Sequence, residues 1–106
     1  MLQSIRDGDR LTVQMQGELD HYCAQSVRRE LDGLLAADDT IRCLVLDFAN
    51  LTFMDSSGIG VILGRYRVMR DRGGSLWVTR MNPHIARIFH MSGMDRIIHQ
   101  LEEARA

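Results

Sequence analysis

The side chains most able to do chemistry in this chain lie in one stretch, Phe53-Met54-Asp55-Ser56-Ser57-Gly58-Ile59-Gly60-Val61-Ile62-Leu63-Gly64-Arg65. A carboxylate and two hydroxyls follow one another where a helix is expected to begin. All three residue types cap helix N-termini by accepting free backbone N–H groups. The residues beyond have helical period, since Ile59, Ile62, Leu63, Tyr66 and Met69 fall at i, i+3, i+4, i+7 and i+10. Gly58 and Gly60 sit inside the first turns, each costing about 1 kcal/mol relative to alanine. A helix start that carries this cost is expected to keep its backbone clear for something that approaches closely.

Other chemistries fit less well. Gly58-x-Gly60-x-x-x-Gly64 lacks the lysine of a phosphate-binding loop and does not match the dinucleotide fingerprint. Gly60 and Gly64 lie one turn apart with Val61 and Arg65 beside them, away from the apolar stripe. They form either a low, accessible strip for a partner helix or a close contact within the domain. The histidines His21, His84, His90 and His99 include no pair with ligand spacing on a helix, so no metal is expected. Cys23 and Cys43 lack the spacing of a disulfide framework or a zinc site. Cys23, early in a helix, is expected to have a slightly lowered pKa, whereas Cys43 reads as core. Trp77 also reads as core or near-core; the methionines are gap-fillers, with Met54 and Met94 expected near a docking rim. There is no triad, no pair of catalytic carboxylates and no cofactor box. The expectation is a protein without enzymatic activity and without a cofactor.

Several elements must position the Asp55-Ser56-Ser57 turn. Leu2 to Arg6 reads as a short strand and Asp7-Gly8-Asp9 as a turn. Leu11, Val13 and Met15 alternate with polar residues, the period-two signature of a half-buried strand paired with the first. Gly17-Glu18-Leu19-Asp20 closes it. Asp20 caps a helix from about Tyr22 to Ala36, whose inner face is Ala24, Val27, Leu31, Leu34 and Leu35. Cys43-Leu44-Val45-Leu46 is a continuous apolar run, read as a parallel strand covered on both faces. Leu11 to Leu46 is thus a βαβ crossover, right-handed by rule. A loop from Asp47 to Met54 leads to the helix of the opening stretch, which runs to about Arg72 and ends at Gly73-Gly74. Ser75 to Thr79 is a strand. Asn82-Pro83 opens a short helix with Ile85, Ile88, Phe89 and Met91 inward. Ser92-Gly93 stops it, Ile97-Ile98-His99 is an edge strand, and Leu101 to Ala106 is at most one helical turn. The loops after successive parallel strands gather on one rim, so Asp20, Ser57 and Met81-Asn82-Pro83 are expected to share a face.

Composition sets the outer bounds. The 106 residues fit one α/β domain, residues 1–106, with a mixed sheet, a parallel βαβ core and helices packed against it. Lys+Arg number 13 against 14 acids, with no basic run, so no nucleic-acid partner is expected. No apolar run approaches the roughly 20 residues of a membrane span, and the N-terminus does not read as a signal peptide. With two unpaired cysteines, a reduced cytoplasmic location is expected.

Gly17-Glu18-Leu19-Asp20-His21 and the long stretch Phe53 to Tyr66 resemble the anti-sigma factor antagonists with a STAS domain. The resemblance is nearest to the sporulation antagonists that act on the anti-sigma factor of sigma-F. Ile88-Phe89-His90-Met91-Ser92-Gly93-Met94 and Ile97-Ile98 also fit, so the likeness covers nearly the whole chain. It implies a STAS-type fold and a phosphorylation switch. The unmodified antagonist binds an anti-sigma factor that is also an ATP-dependent serine kinase, and so frees a sigma factor. The kinase phosphorylates the second serine of Asp-Ser-Ser-Gly, here Ser57, and a separate serine phosphatase reverses it. Asp20 lies beside that serine in the family and joins the partner surface. On this reading Asp55 shapes the surroundings, Ser56 is the structural cap, and Gly58, Gly60, Val61 and Gly64 are candidate contacts. The short C-terminus departs from relatives that carry a fuller final helix. A stress-response antagonist, a transporter's STAS module and a small-ligand or nucleotide-binding module are the alternatives.

Overall fold

The computed structural model describes residues 2–101. In chain order it contains β1 (Gln3–Asp7), β2 (Arg10–Leu19), α1 (Ala24–Ala37), β3 (Cys43–Met54), α2 (Ser56–Asp71), β4 (Ser75–Thr79), α3 (Pro83–Met91) and β5 (His99–Gln100). A 3-10 turn at Met94–Arg96 precedes β5. The five strands form one sheet in the order β1-β2-β3-β4-β5. β1 and β2 are an antiparallel hairpin and every other pair is parallel, which is the expected mixed sheet with a βαβ core.

Strand order that follows chain order sends every crossover the same way, and right-handed crossovers then place all three helices on one face. Register puts Leu11, Leu44 and Leu76 in one row and Val13, Leu46 and Val78 in the next. These six join one core with Leu31 and Leu35 of α1, Ile62 and Met69 of α2, and Ile85 and Phe89 of α3. Val45 points the other way, in a row with Thr12 and Trp77, and lies outside that core. Val45 is nonetheless only 1% exposed, so Leu44, Val45 and Leu46 are buried on both faces of the strand, as the apolar run predicts, although the helices lie on one face.

The largest departure from the sequence reading lies between Asp47 and Met54. This segment is strand, not loop, and β3 stays paired with β2 as far as Leu19↔Met54. Its polar Asp47, Asn50 and Thr52 disguise the pattern. Two register shifts, between Gln14 and Gln16 and between Gly17 and Glu18, also break strict alternation. Gly17 takes φ 76° at the second, a conformation that side chains resist. Smaller differences lie at element ends. α1 begins at Ala24 rather than Tyr22, Met91 is exposed rather than inward, and β5 starts one residue after the buried Ile98. Of the expected tail helix, residues 102–106 lie outside the described residues.

The buried face of α2 is Gly58, Val61, Ile62, Arg65 and Met69, with Ile59, Leu63 and Tyr66 only partly buried. The helix is therefore rolled towards α1 compared with the stripe expected from its apolar residues. The roll takes Arg65 inside, 7% exposed, with its Nε 3.2 Å from Asp32 Oδ1 of α1. Burial lowers the guanidinium pKa, Asp32 raises it and the charge of Arg28 lowers it further.

Candidate functional site

The site is built where β2 and β3 end together. Because Leu19 pairs with Met54, the next residues, Asp20 and Asp55, emerge side by side. The Asp55 amide donates to the Leu19 carbonyl at 3.4 Å. The Asp55 carboxylate then ties two turns together: Oδ1 accepts the Ser57 N–H at 2.8 Å, and Oδ2 accepts the His21 N–H at 3.0 Å. Asp55, with extended backbone, is the N-cap of α2. Ser56 was expected to be that cap, and this is corrected: it occupies the first helical position, exposed, because the carboxylate one residue earlier already caps the helix.

Asp20 does the same for its own turn, accepting from the Tyr22 and Cys23 N–H groups at 3.0 and 3.1 Å. Desolvation opposes ionisation of its carboxyl, but these hydrogen bonds outweigh it and hold the pKa below its usual value. The same contact reverses the expectation for Cys23. Its hydrogen bond to Asp20, desolvation, and the negative charges of Asp20 and Glu18 push the thiol pKa up.

Ser57 is half-buried and lines a cavity of about 510 Å³ with Ala24, Gln25 and Arg28 of α1 and Gly60 and Val61 of α2. Among the described residues nothing is hydrogen-bonded to its hydroxyl, and both Asp55 oxygens already accept backbone N–H groups. Among the described residues no base is therefore hydrogen-bonded to the Ser57 hydroxyl, which is open to a group delivered from outside.

The neighbouring glycines separate into two kinds. Gly58 is buried, and a Cβ there would lie 2.5 Å from Met54 Cγ, 2.7 Å from the Leu19 carbonyl oxygen and 2.9 Å from Leu19 Cγ. Its bareness lets α2 start against the end of β2, so the clearance expected for a partner serves the domain's own packing. Gly60 and Gly64 have nothing within 4 Å of a built Cβ. Val61 is 5% exposed and reaches only the cavity wall, and Arg65 is turned into α1. The expected strip therefore shrinks to Gly60 and Gly64.

The third loop does join the rim. Asn82 donates its side-chain amide to the Leu51 carbonyl at 3.0 Å and accepts the Ile85 N–H at 2.8 Å, holding the start of α3 beside β3. His84 stacks on Phe53 with ring centroids 5.6 Å apart. Tyr22, 89% exposed, meets His21 edge-on at 5.5 Å. The sequence does not point to Phe53, His84, Tyr22, Gln25 or Arg28 as rim residues. Arg28 carries one signal, since it falls off the apolar face of α1, whereas Tyr22 lies ahead of that helix. Met54 and Met94, expected near the rim, are buried core residues.

Among the described residues no helix is long and apolar enough to cross a membrane. The STAS domain model matches residues 2–105. The chain is 42% identical over 88 residues to the anti-sigma F factor antagonist of Paenibacillus polymyxa, across 83% of this chain and 74% of that protein. It is 31% identical over 88 residues to the anti-sigma-B factor antagonist of Bacillus subtilis, across 83% and 78%. It superposes on the anti-sigma factor antagonist SpoIIAA in its unphosphorylated form with a TM-score of 0.82, covering 99% of this chain and 90% of that one. Against the Bacillus cell fate determinant SpoIIAA in the phosphorylated form the TM-score is 0.74, with 99% and 93% covered. Identity to both solved structures is 24%, so that likeness is one of fold.

Proposed function

This chain belongs to the STAS domain family, among its anti-sigma factor antagonists, and from that premise we propose that Ser57 is its phosphorylated switch. In the unmodified form the rim binds an anti-sigma factor that is also a serine kinase, and a sigma factor is released. Phosphorylation of Ser57 ends the binding and a serine phosphatase restores it. The reading takes sigma-F and sporulation as the setting, supported by the 42% identity to a sigma-F antagonist. The contact surface is the Asp20 turn, the Asp55-Ser56-Ser57 turn and the open glycines Gly60 and Gly64. Val61 contributes through the cavity wall, and Gly58 acts by holding α2 in place. The protein acts in the cytoplasm as a kinase substrate without catalysis or cofactor of its own, binding neither nucleic acid nor membrane.

The observation that carries this reading is the half-buried Ser57 hydroxyl beside an open cavity, on a rim that one carboxylate ties together. A phosphate adds about −1.5 to −2 charges. In the free protein α2's dipole favours it by roughly 0.3–1 kcal/mol while Asp55 and Asp20 oppose it, so the fold changes little. Docked, it would be buried without its water. A loss of ~4 kcal/mol on that account weakens binding about a thousandfold.

The test is incubation with candidate anti-sigma kinases and ATP, followed by peptide mass spectrometry and binding measurements. Phosphate on Ser57, loss of binding on phosphorylation, and retained binding by unlabelled Ser57→Ala support the assignment. Phosphate on Ser56, or no labelling by any such kinase, defeats it. A stress-response setting is the second reading, favoured by the 31% identity to a sigma-B antagonist. Pull-down of sigma-F-type against sigma-B-type kinases separates the two. Titration with ATP or GTP alone tests the small-ligand alternative.

A further inference from the structure

A phosphate at a helix start is normally met by free N–H groups or by a cation. Here the N–H groups of Ser57 and of the two residues after it are already engaged. That of Ser57 goes to the Asp55 carboxylate at 2.8 Å, and those of Gly58 and Ile59 go to the Asp55 carbonyl at 3.0 and 3.2 Å. The cation is on the neighbouring helix. α1 and α2 each follow parallel strands, so they run side by side in the same direction. Arg28 lies one turn beyond Ala24 and shares the cavity with Ser57, Gln25 and Gly60. Gly60 offers no side chain to fill the space between the helices. Among the described residues Arg28 has no ion pair or hydrogen bond, although its charge reaches the buried Arg65 further along the groove. Asp32 is thus already taken by Arg65, and among the described residues Arg28 has no carboxylate of its own.

We propose that the cavity between α1 and α2 receives the phosphate of phosphorylated Ser57, with Arg28 as its ion-pair partner and Gln25 as a donor at the mouth. This rests on the reading of Ser57 as the phosphoacceptor. Phosphorylation then closes a recess on the rim as well as adding charge there. Arg28 is a positioning residue for the inactive form. A partner that uses the recess meets it filled.

The test places phosphoserine at position 57 during translation, so that it does not depend on any kinase. A failed kinase assay would count against the proposed function and leave this measurement intact. The second pKa of the phosphate, ordinarily about 6, is followed by phosphorus NMR in the parent chain and in Arg28→Gln and Arg29→Gln. The groups facing the phosphate are Asp55 and Asp20, which raise its pKa, and Arg28 and the more distant Arg65, which lower it. Only Arg28 is altered in the first variant. Arg29 is exposed on the same helix and does not line the cavity. Arg28→Gln is expected to raise the phosphate pKa by a few tenths of a unit, the size expected of an exposed ion pair. Arg29→Gln is expected to shift it by less than about 0.1 unit. The Arg28 Nε–H resonance of the parent should titrate with the same midpoint as the phosphate. Equal shifts in the two variants, no shift in Arg28→Gln, or an Arg28 resonance that ignores the phosphate would each overturn the proposal. Both positions are exposed, and circular dichroism checks that the variants are folded.

Discussion

Gly58 and Gly60 stand two residues apart at the start of α2, and alanine at each should move stability in opposite directions. Either substitution removes glycine's helix penalty, a gain of up to about 1 kcal/mol. At Gly60 no heavy atom lies within 4 Å of the added methyl. The gain is then kept, about 0.5–1 kcal/mol, or several degrees in Tm for a domain of this size. At Gly58 the methyl would sit 2.5 Å from Met54 Cγ and 2.7 Å from the Leu19 carbonyl oxygen. Met54 is 1% exposed and has nowhere to go, and the Leu19 carbonyl is main chain that also accepts the Asp55 N–H. Relief requires α2 to lift off the end of β2. Overpacking of this kind costs about 1–3 kcal/mol and outweighs the helix gain, so Tm should fall by roughly 5–10 °C. Thermal unfolding followed by circular dichroism reads both changes. In the Gly58→Ala background, Met54→Ala should cost less than it does alone, because it removes the nearest clash. A Gly58→Ala protein as stable as the parent, or a destabilised Gly60→Ala protein, would refute this account of how the helix start is packed. Gly60→Ala should also bind the partner more weakly despite its firmer fold, which separates its surface role from the internal role of Gly58.

Three further outcomes follow from the same geometry. Asp55→Ala removes the acceptor for both the Ser57 and His21 N–H groups and should cost about 1–2 kcal/mol in chemical denaturation, whereas Ser56→Ala should stay within about 0.5 kcal/mol. Asp20 and Asp38 both have pKa values below their ordinary 3.8, Asp38 through hydrogen bonds from Thr40 and Arg6. Their stabilisation is complete above the unfolded value and lost as pH falls through the folded ones. Urea midpoints should therefore hold from neutral pH down to about 5 and decline below about 4, and Asp38→Asn should flatten part of that decline. Finally, Asp20 pushes the exposed Cys23 thiol up, so alkylation of Cys23 at neutral pH, read by peptide mass spectrometry, should be faster in Asp20→Asn. An unchanged or slower rate would remove the hydrogen bond from the explanation.

Much of this protein could be read from its residues in order. Period-two alternation in Leu11 to Met15, the helical stripes of α1 and α2 and the cap at Asn82 are local signals, set by a few neighbouring residues. They were enough to place four of the five strands approximately, along with all three helices and the shared rim. The long motif around Ser57 likewise carried the family resemblance without any coordinates. The rest depended on residues distant in sequence. The extension of β3 through Asp47 to Met54 is decided by β2, whose bulges keep the pairing in step where the local pattern fails. The choice of Asp55 over Ser56 as cap follows from the hydrogen bond that Asp55 also makes to the His21 turn. The roll of α2 that buries Val61 and Arg65 comes from packing against α1, which apolar periodicity within α2 cannot register. In the sequence Gly58 and Gly60 are the same residue in nearly the same place. Only the fold sets one against Met54 and Leu19 and leaves the other open beside Ser57 and Arg28, because the position of a neighbouring helix or strand is a property of the whole packed core.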